Sequence, residues 1–179
     1  IVVAALNWPI WIVFVVIILF SVLRFYRMYQ IVYKSRNIEQ MAKFFKTNKR
    51  NPLYGYTASL QSMDNATIKA ASERVLAKYK QPELQAIHKT NIAILEKDYT
   101  KAQREIQPIA NTGQGQITLA QIFALHNKPF EIKKLNFDEP WAKAMVAAIL
   151  ALHKKDVATF EEQRKIALEN SAGMQHFSN

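Results

Sequence analysis

An uncharged N-terminal run followed directly by a strongly basic segment limits what this chain can fold into. Residues 1–23 contain no charged side chain, whereas residues 24–50 contain eight Lys or Arg and one Glu. A helix of 23 residues is about 34 Å long, which suffices to cross the hydrocarbon core of a bilayer. Bulky apolar side chains occupy every face of this run, so the pattern predicts a transmembrane helix over residues 1–23.

Two other uses of an apolar N-terminal run fit these residues less well. A secretory signal peptide has a shorter apolar stretch and a small-residue cleavage site, which residues 20–24 do not resemble. A buried core helix of a soluble protein is the other alternative, but β-branched and aromatic side chains cover every face of this run and leave no polar stripe. Trp8, next to Pro9, is typical of the aromatic belt at a membrane interface.

The basic flank predicts the orientation of the chain. Residues 24–50 carry +7 of the net charge of +10, so the excess positive charge adjoins the predicted span. Lys and Arg close to a span mark its cytoplasmic side. We therefore expect residues 24–179 in the cytoplasm, which in a bacterium corresponds to an inner-membrane protein. The lack of cysteine agrees with a reducing compartment.

Residues 24–50 are predicted to form a juxtamembrane helix that continues the span. Two explanations for its apolar stripe remain open and are compatible: an interfacial helix held by anionic lipid headgroups, or a docking helix for another subunit anchored by Met41, Phe44 and Phe45. The predicted membrane-interface residues are Trp8, Arg24, Phe25, Tyr26, Arg27, Tyr29, Tyr33, Lys34 and Arg36. The predicted partner-binding residues are Met41, Lys43, Phe44, Phe45, Lys46, Lys49, Arg50, Trp141 and Met145.

Residues 51–170 are predicted to form an all-α domain of helical hairpins, followed by a flexible tail at 171–179. Asp64 is a good N-cap for a helix that reaches Tyr79, and Pro82 suits the first position of the next helix. The strongest helical pattern starts at Pro140 and Trp141. Residues 130–137 alternate partly and are predicted to be an extended connector, pinned by Phe130, Ile132, Leu135 and Phe137.

Two stretches of the predicted domain are alike. Each has an Ala-containing helix, a tight turn that ends in Lys-Asp (residues 97–98 and 155–156), and a second helix. Residues 84–110 and 141–170 therefore resemble tetratricopeptide-like helical hairpins. The offset between the copies is 58 residues, compared with about 34 in that family, and Lys97 and Lys155 occupy its usual glycine position. The resemblance implies stacked helix pairs that bind other proteins.

No motif in the sequence predicts catalysis, a metal site or a cofactor. The chain lacks cysteine, and its four histidines do not have the spacing of metal ligands. His153 is interpreted as a cation near a helix C-terminus. Because the excess charge adjoins the predicted span, lipid explains it better than nucleic acid does. We therefore expect a protein without enzymatic activity.

These observations favour a membrane-anchored cytoplasmic adaptor or structural subunit of a larger inner-membrane assembly, such as a secretion or envelope machine. A first alternative is a basic helical module that recruits acidic protein cargo. A second is a non-catalytic accessory subunit of a membrane enzyme. The residues predicted to bind acidic cargo are Lys43, Lys46, Lys49, Arg50, Lys133, Lys134, Lys154 and Lys155.

Overall fold

A computed structural model describes residues 10–137 and 139–171, and all regular structure within these ranges is helical. The α-helices are α1 (Ile10–Tyr29), α2 (Ile38–Thr47), α3 (Pro52–Ser59), α4 (Asn65–Lys78), α5 (Pro82–Leu95), α6 (Tyr99–Glu105), α7 (Gly113–Leu125), α8 (Pro129–Ile132), α9 (Pro140–His153) and α10 (Val157–Glu169). Gln30–Lys34 forms a π-helical segment, and Leu60–Ser62 and Gln107–Ile109 form 3-10 turns. Trp8 and residues 172–179 of the predicted tail lie outside the described residues.

One helix in the described part of the chain is long and apolar enough to cross a membrane. It extends from Trp11 to Lys34, and none of its most apolar window is buried against the rest of the chain. Phe14, Ile18 and Phe20 are each at least 60% exposed. The prediction of one apolar N-terminal helix is therefore confirmed from residue 10 onward, and the helix continues past residue 23; residues 1–9 of the predicted span lie outside the described residues.

The predicted continuation of the span as one helix through residues 24–50 is correct only as far as Lys34, because the backbone turns between Lys34 and Ile38. Ser35 is extended, and its N–H donates to the carbonyl of Gln30 at 2.8 Å, which closes the π-helical segment. The Asn37 side chain then accepts a hydrogen bond from the Gln40 N–H at 2.9 Å and starts α2. An N-cap of this kind favours a new helix over continuation of the old one.

Helices α3 to α10, which we call the helical array, form four consecutive helix pairs. α3 packs on α4, α5 on α6, α7 on α8, and α9 on α10. Neighbouring pairs also touch, through α4 with α5, α6 with α7, and α7 with α9. The array is thus a linear succession in which each helix contacts mainly its neighbours.

A residue in the left-handed conformation connects the two helices of every pair, and we call these positions corners. They are Met63, Lys97, Asn127 and Lys155, with φ between 51° and 60°. At the last three corners, the N–H of the left-handed residue donates to the carbonyl three residues earlier. The N–H of the following residue donates to the carbonyl five residues earlier, and these distances are 2.7–3.1 Å. This is a Schellman closure of the helix end, in which glycine is the usual residue.

The helix starts follow the predicted chemistry. Asp64, Asp98 and Asp156 directly follow a corner, and each carboxylate accepts the N–H of the residue three positions later at 2.9–3.1 Å. Pro82 and Pro140 occupy the first turn of α5 and α9, where a missing N–H breaks no helical bond. The predicted Asp64 and Pro82 starts are confirmed.

Two separate hydrophobic clusters hold these elements. The larger one lies in the array and includes Ala93 of α5, Ile106 beside α6, Ile122 of α7 and Val146 of α9. The smaller one, which we call the junction cluster, consists of Ile31, Val32, Met41 and Phe45. Alanine is frequent in the larger cluster, so its helices can approach one another closely.

The predicted extended connector at residues 130–137 is partly wrong. Its first part lies in α8, where Ile132 is 2% exposed and belongs to the core, as predicted. Phe130 is 76% exposed and therefore does not pin the segment, whereas Leu135 and Phe137 pack against the larger cluster. Ser171, placed in the predicted tail, is buried and donates to the Leu168 carbonyl at 3.2 Å.

Candidate membrane-junction site

An open cleft of about 760 Å³ lies where the C-terminal half of α1 meets α2, and we call it the junction cleft. The α1 side contributes residues spaced by three or four positions, which lie on one face of a helix. The lining residues are Ser21, Arg24, Phe25, Arg27, Met28, Ile31, Gln40, Lys43, Phe44, Thr47, Asn48 and Tyr54. Three of these side chains are cationic and none is acidic.

The junction cluster holds the walls of the cleft in place. Met41 and Phe45 of α2 are fully buried and pack with Ile31 and Val32 of the π-helical segment. Around them, the Phe44 ring lies 5.3 Å from the Tyr54 ring and 5.6 Å from the Phe45 ring, both nearly edge to face. These contacts join α2 to the π-helical segment and to α3, so the cleft has packed side chains behind it.

Tyr54 connects the cleft with the first helix pair. Its hydroxyl lies 3.5 Å from the sulfur of Met28 on the α1 side. Burial, and to a smaller degree Tyr33 and Tyr79, raises the pKa of the Tyr54 phenol. The phenol is therefore neutral at physiological pH and presents a polar edge at the rim of an apolar wall.

The predicted membrane-interface residues within the described part of the chain are all exposed. Arg24, Phe25, Tyr26 and Arg27 lie in the last turns of α1, and the Tyr29 and Tyr33 rings are 5.2 Å apart. Lys34 and Arg36 follow at the turn before α2. Of this set, Arg24, Phe25 and Arg27 line the junction cleft.

Met41 and Phe45, which are predicted to anchor a partner, are both 0% exposed because other residues of this chain cover them. Phe44 is half-buried and lines the cleft, together with Lys43. The apolar stripe of α2 was recognised correctly, but its covering elements are Ile31, Val32 and Tyr54 of the same chain.

The other predicted partner-binding residues fall into two groups. Lys46, Lys49 and Arg50 are exposed at and beyond the end of α2. Trp141 and Met145 are half-buried on α9 and pack against the larger cluster. The two groups therefore adjoin different hydrophobic clusters, and the structure does not combine them into one site.

A surface that sequence reasoning did not recognise as one unit joins the last two corners of the array. The His153 ring nitrogen Nε2 lies 2.8 Å from the Asn127 side-chain oxygen, which brings these corners together. Lys133 sits 5.7 Å over the exposed Phe130 ring, whereas Lys134 is paired with Glu131 at 2.8 Å. We define the corner patch as the exposed side chains near these two corners in the sequence: the apolar residues Leu125, Phe130, Leu152 and Val157 and the cations Lys128, Lys133, Lys154 and Lys155.

A buried polar cluster between α3 and α5 also escaped sequence analysis. The His88 ring is 3% exposed and meets the Tyr56 ring edge to face at 4.5 Å, and Asn91 donates to the Tyr56 hydroxyl at 2.8 Å. Burial lowers the pKa of His88 to about 4. A neutral histidine packed in this way is a structural residue of the array.

The described residues contain no group of three or more His, Cys, Asp or Glu side chains arranged to hold a metal ion. No family model matches this chain, and no curated protein or solved structure is significantly similar to it.

Proposed function

We propose that this protein is a single-pass membrane adaptor, in which α1 crosses the bilayer and the helical array contacts other proteins. The observation that carries the proposal is that no residue in the apolar window of α1 is buried, in a chain whose array has its own core. Exposed apolar surface costs about 25 cal/mol per Å² in water. Side chains such as Phe14, Ile18 and Phe20 are therefore stable only under a cover of lipid or protein.

The basic flank supports a cytoplasmic location for the array. Arg24, Arg27, Lys34 and Arg36 are exposed directly after the apolar stretch, as expected for the cytoplasmic end of a span. In a bacterium, this orientation makes the chain an inner-membrane protein. We propose that its partners belong to a larger assembly, such as a secretion or envelope machine.

The proposed adaptor role also draws on the resemblance to tetratricopeptide-like hairpins. The four corners follow one another at intervals of 34, 30 and 28 residues, near the 34-residue period of that family. Stacked helix pairs of this kind present grooves and edges to partner helices or peptides. Exposed apolar side chains at the corners, such as Leu152 and Val157, are the contact positions that we propose.

Membrane fractionation combined with crosslinking tests this proposal. The full chain should resist alkaline extraction, and its array should be digested by protease in inverted vesicles but not in intact cells. A photo-crosslinking side chain at Leu152 should capture a discrete protein partner, and one at Glu73, exposed in the middle of α4 and away from the corners, serves as the position control. Alkaline release of the chain, or digestion of the array from outside intact cells, contradicts the proposal.

The corner patch favours a second candidate function, recruitment of acidic cargo to the membrane. Its apolar side chains suit the apolar face of an amphipathic helix, and its lysines suit acidic residues on the flanks of that helix. This candidate is compatible with the anchor and differs from an assembly subunit in that the cargo is a soluble protein.

Salt dependence tests the second candidate. An amphipathic peptide with glutamates beside its apolar face should bind the full chain and be released above roughly 0.15 M salt, where screening shortens to about 8 Å. A Lys133→Gln, Lys154→Gln, Lys155→Gln variant should lose this binding. A matched Lys78→Gln, Lys80→Gln, Lys89→Gln variant carries the same charge change elsewhere on the array and should retain it. Equal loss in both variants argues against a defined cargo site.

A further inference from the structure

The three cations of the junction cleft have no acidic partner among residues 10–137 and 139–171. No ion pair in the described residues involves Arg24, Arg27 or Lys43, although these residues converge on one cleft from two helices. Charged side chains that share a cleft repel one another unless an anion lies between them. The charge of the cleft is thus complementary to an anionic ligand.

The apolar wall of the same cleft specifies the rest of the ligand. The apolar side chains that line it beside the cations are Phe25, Met28, Ile31 and Phe44. A free inorganic anion would leave these apolar side chains uncovered. The neutral Tyr54 phenol and the Thr47 side chain add polar groups to the lining. A ligand that satisfies both halves of the cleft has an anionic head and a hydrocarbon body.

The position of the cleft along α1 matches such a ligand. Arg24 is the first charged residue after the apolar run, so the cleft begins where the hydrocarbon core ends, if α1 crosses the bilayer. Arginine and lysine at this depth reach toward lipid phosphates. The cleft volume of about 760 Å³ lies in the range of ordinary ligand sites.

We propose that the junction cleft is a binding site for one anionic phospholipid molecule, a proposal that rests on the proposed membrane insertion of α1. Arg24, Arg27 and Lys43 contact the phosphate-bearing headgroup, and the acyl chains lie against Phe25 and Met28. Because Lys43 belongs to α2 and the arginines belong to α1, the bound lipid bridges the two helices. The site therefore couples the placement of the array to the lipid composition of the membrane.

Lipid retention by the full chain tests this site against a matched control. The chain is reconstituted in nanodiscs of equal parts phosphatidylcholine and phosphatidylglycerol, and the lipid retained after transfer to mild detergent is measured by native mass spectrometry. The cleft variant is Arg24→Gln, Arg27→Gln, Lys43→Gln. The control variant, Lys34→Gln, Arg36→Gln, Lys46→Gln, removes the same charge from exposed positions outside the cleft.

The wild-type chain and the control variant should each retain one phosphatidylglycerol, and the cleft variant should bind it roughly a hundredfold more weakly. Equal losses in the two variants indicate diffuse attraction to the surface and overturn the site. Equal retention of phosphatidylcholine overturns the anionic specificity. Displacement of the lipid by millimolar glycerol phosphate indicates a site for a soluble phosphate instead.

Two further measurements separate failure of the site from other failures. Alkaline extraction is measured on the same samples: a chain that does not insert overturns both proposals, whereas an inserted chain without bound phosphatidylglycerol overturns only the lipid site. If the triple cleft variant does not fold, Lys43→Gln and Lys46→Gln provide a single-residue comparison on exposed positions of α2. Only Lys43→Gln should weaken retention, by about fivefold.

Discussion

Two apolar helices of this molecule, α1 and α9, are used in different ways. α1 contains no alanine, and bulky side chains cover all of its faces without being buried. α9 contains five alanines, and Ala142, Ala144, Ala148 and Ala151 are buried against neighbouring helices. With 14 residues, α9 is also about 21 Å long, too short for a bilayer. The size and distribution of side chains thus distinguish the uncovered helix α1 from the packed helix α9 better than apolar content does.

The largest expected effect comes from placing lysine in each of these helices. Ile17→Lys with Ile18→Lys should release the chain from the membrane, because each lysine costs about 2.5–3.5 kcal/mol near the middle of a span. Ala148→Lys, at a site 1% exposed, should unfold the array by burying an unpaired charge but leave the chain in the membrane. Alkaline extraction and far-UV circular dichroism report the two outcomes. A lysine pair in α1 that unfolds the array without membrane release would contradict the comparison.

The next effect concerns two phenylalanines with opposite exposure. Phe45→Ala should destabilise the folded chain by about 3–5 kcal/mol, because the ring is fully buried in the junction cluster. Phe130→Ala should change stability by less than about 0.5 kcal/mol, since this ring is 76% exposed. Denaturant titration of the full chain in detergent micelles measures both. Similar losses for the two variants would mean that Phe130 is covered by another part of the assembly.

Two glycines of α7 provide a sharper test of close packing in the array. A Cβ atom on Gly115 would overlap the backbone carbonyl of Ile109, so Gly115→Ala should destabilise the array by about 2 kcal/mol or more. A Cβ on Gly113 meets no atom within 4 Å. Gly113→Ala should therefore be neutral or stabilising by about 0.5 kcal/mol. Thermal unfolding followed by circular dichroism separates the two, and membrane retention should be normal in both.

The smallest effect is a pH dependence confined to the array. Burial lowers the pKa of His88 from 6.5 to about 4, so the unfolded chain binds more protons than the folded chain between these values. Stability is therefore full above about pH 6.5 and falls as the pH is lowered toward 4, with a loss of about 2 kcal/mol at pH 5.

The variant His88→Leu should abolish this dependence on pH. Thr90→Val serves as the control, because it changes another buried polar side chain of α5 and leaves the histidine in place. Unfolding midpoints measured between pH 4 and 8 test the prediction. A slope that persists in His88→Leu assigns the dependence to other groups.

Local chemistry explains which parts of the fold were predictable. Asp64, Pro82 and Pro140 start helices through groups within a few residues of the helix end, so the sequence alone identifies them. α3 was missed, although Asn51 caps it by accepting the Leu53 N–H at 3.0 Å. Its glycine and aromatic residues give a weak helical pattern, and its stability depends on packing against α2 and α4.

The spacing of the helix pairs along the chain is hard to recognise from the sequence for a similar reason. The 58-residue offset between Lys97 and Lys155 spans two units, since a further corner lies between them at Asn127. This corner lacks the Lys-Asp signature and precedes α8, which is only four residues long. The left-handed conformation of Asn127 is therefore seen in the structure and not in the sequence pattern.

The candidate site shows where sequence reasoning stops. The spacing of Met41, Phe44 and Phe45 correctly indicated an apolar face on α2, but spacing does not identify what covers that face. The cover comes from the π-helical segment and from Tyr54, which are brought together by the turn at residues 35–37. Arg24, Arg27 and Lys43 meet in one cleft for the same reason.

The repeated corners have a consequence for how a chain of this kind can change in length. Because each helix pair contacts mainly its neighbours, a duplication or deletion of one whole pair alters only two local interfaces. The junction cluster next to the first pair would remain intact. The distance from α1 to the far end of the array is therefore adjustable in steps of one hairpin, without any change to α1 itself.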